Sequence, residues 1–119
     1  MGHDTVAADS TYPSGAEQHR PLKLRGLFLD VSPRQPDGTI YVGASGDWNR
    51  STAATARSVF RRVAEHQPAL VIVDLGGRGR MDFAGLDVVV AAHRQLARSG
   101  GQLRLQNVPP EIQRLLGRR

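Results

Sequence analysis

Apolar and polar positions fall into two regimes along the 119 residues. From Met1 to Arg25 the apolar residues are few and aperiodic, scattered among Pro, Gly, Ser, Thr and His. Residues 1–25 therefore read as a disordered polar tail. From Gly26 onward the pattern organises, and residues 26–119 read as one domain. Leu27-Phe-Leu and Val31 form a short β-prone run, closed by Pro33, Pro36 and the turn dipeptide Asp37-Gly38. Thr39-Ile-Tyr-Val-Gly follows as a second strand, so the two are expected to pair as an antiparallel hairpin with a longish loop.

The period then changes from two to 3.6. Ala56, Val59, Phe60 and Val63 stand at i, i+3, i+4 and i+7, the buried stripe of a helix. Asn49, Ser51 and Thr52 are all N-cap residue types in front of it, and Pro68 stops it. Ala69-Leu-Val-Ile-Val-Asp-Leu is a continuous apolar run, the pattern of a strand buried on both faces. A loop, Gly76-Gly-Arg-Gly-Arg80, leads to Asp82, a natural N-cap for a second helix. That helix carries Leu86, Val89, Val90, His93 and Leu96 or Ala97 on one face, and Ser99-Gly100-Gly101 ends it. Gln102-Leu-Arg-Leu-Gln-Asn-Val alternates as a half-buried strand. Pro109-Pro110 opens a last helix through Ile112, Leu115 and Leu116.

The order is β-β-α-β-α-β-α. Strand–helix–strand units join parallel strands by a crossover, so the expected fold is α/β: a mixed β-sheet with its helices mainly on one face. In such sheets functional groups gather in loops after the carboxyl ends of the strands. Here those loops are Ser45–Thr52 and Gly76–Gly85.

Composition removes several classes of function. There is no cysteine, so disulfide frameworks and thiolate chemistry are excluded. The longest apolar runs, Ala69–Val73 and Val88–Ala92, fall far short of the roughly 20 residues of a membrane span. No secretory signal pattern opens the chain, so a cytoplasmic location is expected. The net charge of +5 lies wholly in residues 93–119, where six Arg face Glu111 alone. No aromatic residue is interleaved with this charge, so nucleic-acid binding is not expected; a solvated helix face accounts for it.

Candidate chemistry is sparse. The loop Gly77-x-Gly79-x-x-Asp82 follows a strand and precedes a helix, the context for phosphate binding. A carboxylate stands where the dinucleotide pattern needs its third glycine. Arg78 and Arg80 are candidate anion contacts, with solvation as the plainer role. Asp74, at the end of the central strand, reads as a backbone cap. His93 reads as a packed core histidine, and the other histidines lack paired metal spacing. No catalytic set, metal site or cofactor is expected.

Four stretches together resemble a known family: Leu70-Val-Ile-Val-Asp-Leu-Gly, Met81-Asp82-Phe-Ala-Gly85-Leu86, Arg94-Gln-Leu-Ala-Arg-Ser-Gly-Gly-Gln-Leu-Arg-Leu, and Val108-Pro-Pro-Glu-Ile. Gly46-Asp-Trp-Asn-Arg-Ser-Thr52 adds a fifth. In this succession, over residues 27–116, the chain resembles the STAS domain of bacterial anti-sigma factor antagonists. The resemblance implies a protein-binding switch and no enzyme. In that family an Asp-Ser-Ser-Gly element opening the second helix holds a serine phosphorylated by a cognate anti-sigma kinase. Phosphate brings nearly two negative charges into the interface and releases the partner.

This sequence departs from the pattern at the switch itself. Ala84 matches the phospho-acceptor serine, Phe83 the serine before it, and Asn49 an acid near the first helix. Asp82 and Gly85 remain, Asp82 as a cap and Gly85 for close backbone approach or an unusual dihedral. The implied partner-binding set is Asp82, Phe83, Ala84, Gly85, Asp87, Trp48, Asn49, Ser51 and Thr52, with no phospho-acceptor at Ala84. Phe83 is open between interface anchor and core, and Trp48 between core and partner contact. The implied partner is an anti-sigma factor kinase or another regulatory protein, with a homodimer also open. The alternatives are a non-catalytic subunit of a larger signalling or transporter complex, and a small-ligand or nucleotide sensor using Gly76–Arg80.

Overall fold

The computed structural model describes residues 4–5 and 26–117. Its sheet has five strands: β1 (Asp4–Thr5), β2 (Leu27–Val31), β3 (Thr39–Gly46), β4 (Leu70–Asp74) and β5 (Gln102–Gln106). Strand order in space follows order in sequence. Strands β1, β2 and β3 pair antiparallel, whereas β3, β4 and β5 run parallel. Helix α1 (Ala53–Glu65) connects β3 to β4, α2 (Phe83–Arg98) connects β4 to β5, and α3 (Pro110–Gly117) follows β5. From β2 onward this is the order β-β-α-β-α-β-α expected from the periodicity. Apart from Asp4–Thr5, the tail expected over residues 1–25 lies outside the described residues.

One core lies between the sheet and the helices. Leu27, Leu29 and Val31 alternate inward from β2, Ile40, Val42 and Ala44 from β3, and Val71 and Val73 from β4. Against them pack the stripe Ala56, Val59, Phe60 and Val63 of α1 and Leu86, Val88, Val89, Ala92 and Leu96 of α2. Ile112 closes the core from α3, with half-buried Leu116 packed beside it.

Two expectations are corrected by this arrangement. Strand β4 is not buried on both faces: Val71, Val73 and Leu75 are buried, but Leu70, Ile72 and Asp74 on the other face are only half-buried. Helices cover one side of the sheet, and Tyr41 on the open side is 48% exposed. The continuous apolar run reflects a central position flanked by β3 and β5, not two helical layers. His93 is exposed, not a core residue. The inward stripe of α2 runs through Gly85, Val88, Val89, Ala92 and Leu96, one residue out of phase with a stripe through 90, 93 and 97.

Candidate functional site

The two loops singled out from the sequence lie side by side beyond the carboxyl ends of β3 and β4. They are joined backbone to backbone. Gly46 N–H donates to the Arg78 carbonyl (2.5 Å), Trp48 N–H to the Arg80 carbonyl (2.8 Å), and Asp82 N–H to the Trp48 carbonyl (3.1 Å). Trp48 and Met81 form an isolated parallel bridge, which carries the β3–β4 pairing into the loops. The Asp47 carboxylate adds a side-chain tie, accepting from Arg80 N–H at 2.9 Å. Asp47 did not stand out in the sequence, because its partner lies 33 residues away and no local pattern marks such a pair.

This zipper explains the glycines. A Cβ at Gly77 would meet the Ala44 carbonyl, and one at Gly79, whose φ is +145°, would meet the Gly46 carbonyl. The glycine run lets the 76–80 loop lie flat on the end of β3. Arg78 and Arg80 are exposed, with their carbonyls spent on the zipper. Asp74 turns back at the loop's start. Its Oδ1 accepts from Gly76 N–H at 2.8 Å, and Asn107 Nδ2 donates to both carboxylate oxygens at 3.1 and 3.2 Å. These bonds, the Gly76 amide foremost, hold the Asp74 carboxyl below its ordinary value of 3.8. Asn107 itself takes a positive φ of 54°. Beside Asp74, a groove of about 530 Å³ opens on the uncovered sheet face, lined by Phe28, Asp30, Ser45 and Asn107 among others. Among the described residues no group of three His, Cys, Asp or Glu is placed to hold a metal.

Asn49, Ser51 and Thr52 form a compact local turn. Asn49 Oδ1 accepts from Ser51 N–H (2.8 Å) and Thr52 N–H (3.2 Å). In return the Thr52 hydroxyl accepts from Asn49 N–H (3.0 Å) and donates to the Asp47 carbonyl (2.7 Å). Thr52 is the N-cap of α1 by position, yet its side chain caps no helix amide. Its hydroxyl is committed and buried, whereas Ser51 is exposed. Asn49 does here what a carboxylate could do equally, because only one acceptor oxygen is required.

Helix α2 starts on Asp82, whose Oδ1 accepts from Gly85 N–H at 3.0 Å. Gly85 is buried directly against Trp48: a Cβ there would collide with the Trp48 Cβ and stand 2.5 Å from its carbonyl oxygen. Close approach, not an unusual dihedral, is the reason for glycine. Trp48 is 3% exposed, its ring 6.2 Å from that of Phe60 at 27°. Trp48, open in the sequence between core and partner contact, is thus a core residue and not an exposed contact; its large ring packs beside Phe60 of α1. Phe83 is not in the core: it is 51% exposed at the first turn of α2. Ala84 beside it is half-buried, and Asp82 and Asp87 are exposed.

The fold is a mixed sheet with helices on one face and a capped start of α2 framed by two zipped loops. A family model described as Mlab, STAS domain matches residues 31–118, and the chain belongs to the STAS domain family. Solved structures agree in fold. An anti-sigma factor antagonist from Mycobacterium paratuberculosis superposes with a TM-score of 0.66 at 21% identity, covering 76% of this chain and 75% of that one. The anti-sigma factor antagonist SpoIIAA in its unphosphorylated form gives 0.62 at 16% identity over 75% and 81%. An antisigma-factor antagonist STAS domain from Rhodobacter sphaeroides gives 0.56 at 12% identity over 68% and 86%. Among the described residues no helix is long and apolar enough to cross a membrane.

Proposed function

We propose that this STAS domain is a non-catalytic, cytoplasmic protein-binding regulator, acting as an anti-sigma factor antagonist does but without the phosphate switch at the start of α2. The observation that carries the reading is the pair Phe83 and Ala84. An aromatic side chain stands half out of the first turn, and the next residue ends in a methyl group. Aromatic side chains are favoured interface anchors. A methyl offers no oxygen for a phosphoryl group, so the helix start binds its partner irrespective of ATP. The surface comprises Asp82–Ala84, Asp87 and the exposed rim of the Asn49–Thr52 turn, and its partner is a regulatory protein of the anti-sigma kinase type.

Mass spectrometry after incubation with ATP and a candidate partner kinase tests the absence of the switch. The expected map carries no phosphate on Thr52, whose hydroxyl is buried and bonded twice. Phosphate on exposed Ser45 or Ser51, accompanied by loss of binding, would mean a relocated switch and would overturn the constitutive reading.

The missing hydroxyl also favours a second reading, a permanent subunit of a larger signalling or transporter complex, where no off-switch is needed. Recovery of several stoichiometric subunits in place of one kinase-like protein would select it. A nucleotide sensor built on Gly76–Arg80 gains nothing from the geometry, since those glycines serve the approach to β3.

A further inference from the structure

The outward side of α2 is more than its first turn. Residues 83, 87, 90, 94 and 98 recur at helical spacing, i, i+4, i+7, i+11 and i+15, opposite the buried stripe of Gly85, Val88, Val89, Ala92 and Leu96. Phe83, Asp87, Arg94 and Arg98 on this strip are exposed and Val90 is half-buried. Neither Arg94 nor Arg98 has a carboxylate partner among the described residues. At 1.5 Å per residue the two guanidinium-bearing positions lie about 16 and 22 Å along the axis from Phe83.

We infer that this strip is a single two-ended docking surface, with Phe83 seated in an apolar pocket and Arg94 and Arg98 paired with carboxylates of an acidic protein surface about three to four turns away. The inference rests on the protein-binding reading above and extends the interface by the length of the helix. Charge complementarity sets the occupant. Two exposed arginines near the carboxyl end of a helix, without a carboxylate partner among the described residues, call for anions, and guanidinium forks match carboxylates bidentately. Asp87 decides between anionic partners. A carboxylate in the middle of the strip is repelled by a continuous polyanion, whether an anionic bilayer or a nucleic-acid duplex, whereas a protein can set a cation or a donor opposite it. The aromatic anchor and the half-buried valine are also the composition of a protein interface.

Site-specific photocrosslinking of the full chain in its native cells tests the strip, with p-benzoylphenylalanine at position 83, at position 94, or at position 41 on the open sheet face. The expected result is one and the same protein tethered from 83 and from 94, and not from 41. Purified binding of that protein should then weaken about tenfold in the double variant R94E/R98E, the loss shrinking as salt is raised. In F83A a similar loss should be insensitive to salt. Tethering from 83 without 94, or R94E/R98E binding like the unaltered chain, would overturn the two-ended strip while leaving the protein-binding reading in place. Tethering only from 41, or from none, would remove that reading itself. Binding of phosphatidylglycerol vesicles or of short duplex DNA that is lost in R94E/R98E would overturn the acidic-protein occupant.

Discussion

Gly85 of α2 lies against the backbone of Trp48 with no space for a side chain between them. This contact fixes how far the start of α2 sits from the loop after β3, and so fixes where Phe83 and Ala84 stand. Gly85→Ala is expected to destabilise by about 1–3 kcal/mol through overpacking. Thermal unfolding of a domain this size should move down by roughly 4–8 °C for each kcal/mol. The Trp48 carbonyl stands 2.5 Å from the new methyl, so shrinking residue 48 should not rescue the variant. A double variant Trp48→Ala/Gly85→Ala as stable as Trp48→Ala would refute the backbone origin of the clash.

Trp48→Ala on its own removes a ring that is 3% exposed and packed beside Phe60. Large-to-small changes of buried aromatics cost about 3–5 kcal/mol. Chemical denaturation should show a loss in this range.

At the Asn49–Thr52 turn, Thr52→Val keeps the shape but strips the hydroxyl from two bonds. Leaving the Asn49 amide and the Asp47 carbonyl unpartnered should cost about 1–3 kcal/mol. Ser51→Ala, at an exposed neighbour, should stay within about 0.5 kcal/mol. Equal losses in the two variants would contradict the role assigned to Thr52.

The Asp82 cap is a smaller effect. Asp82→Ala should lower stability by about 1 kcal/mol, and Asp82→Asn, which keeps an acceptor oxygen, by less.

Acid should weaken the fold in a defined window. The carboxyl of Asp74 is lowered from 3.8 chiefly by the Gly76 amide, and that of Asp37 chiefly by its bond to Thr39. A group whose folded-state value is depressed contributes above its unfolded value, and the contribution is lost as pH falls through the folded one. Stability should therefore be level near neutrality and decline as pH drops through 3.8 and below. Denaturation midpoints of the unaltered chain and of Asp74→Asn should differ at neutral pH and converge in acid. A gap that widens in acid would refute the assignment.

Much of the fold is legible in the sequence because it follows from local period. The stripe Ala56, Val59, Phe60, Val63 and the cap at Asp82 need no distant partner to be recognised. Features set by tertiary placement are less legible. The apolar residues of α2 fit two phases, and the packed structure takes the one that buries Gly85, Val88, Ala92 and Leu96 and leaves His93 outside. Leu70 and Ile72 look like core in sequence but sit on the uncovered sheet face, since nothing local tells how many helical layers a strand will meet. The tie from Asp47 to Arg80 was invisible for the same reason. At the candidate site, the absent hydroxyl at position 84 could be read directly, whereas the burial of Trp48 and the exposure of Phe83 required the packed structure.

A methyl-to-hydroxyl exchange at position 84 shows whether the missing oxygen alone decides the response to ATP. The protein tethered through position 83 is titrated against the unaltered chain and against Ala84→Ser, with and without ATP. ATP should leave binding of the unaltered chain unchanged, and should release the Ser variant once that serine carries phosphate. Release of the unaltered chain by ATP, with phosphate found elsewhere on it, would contradict the account.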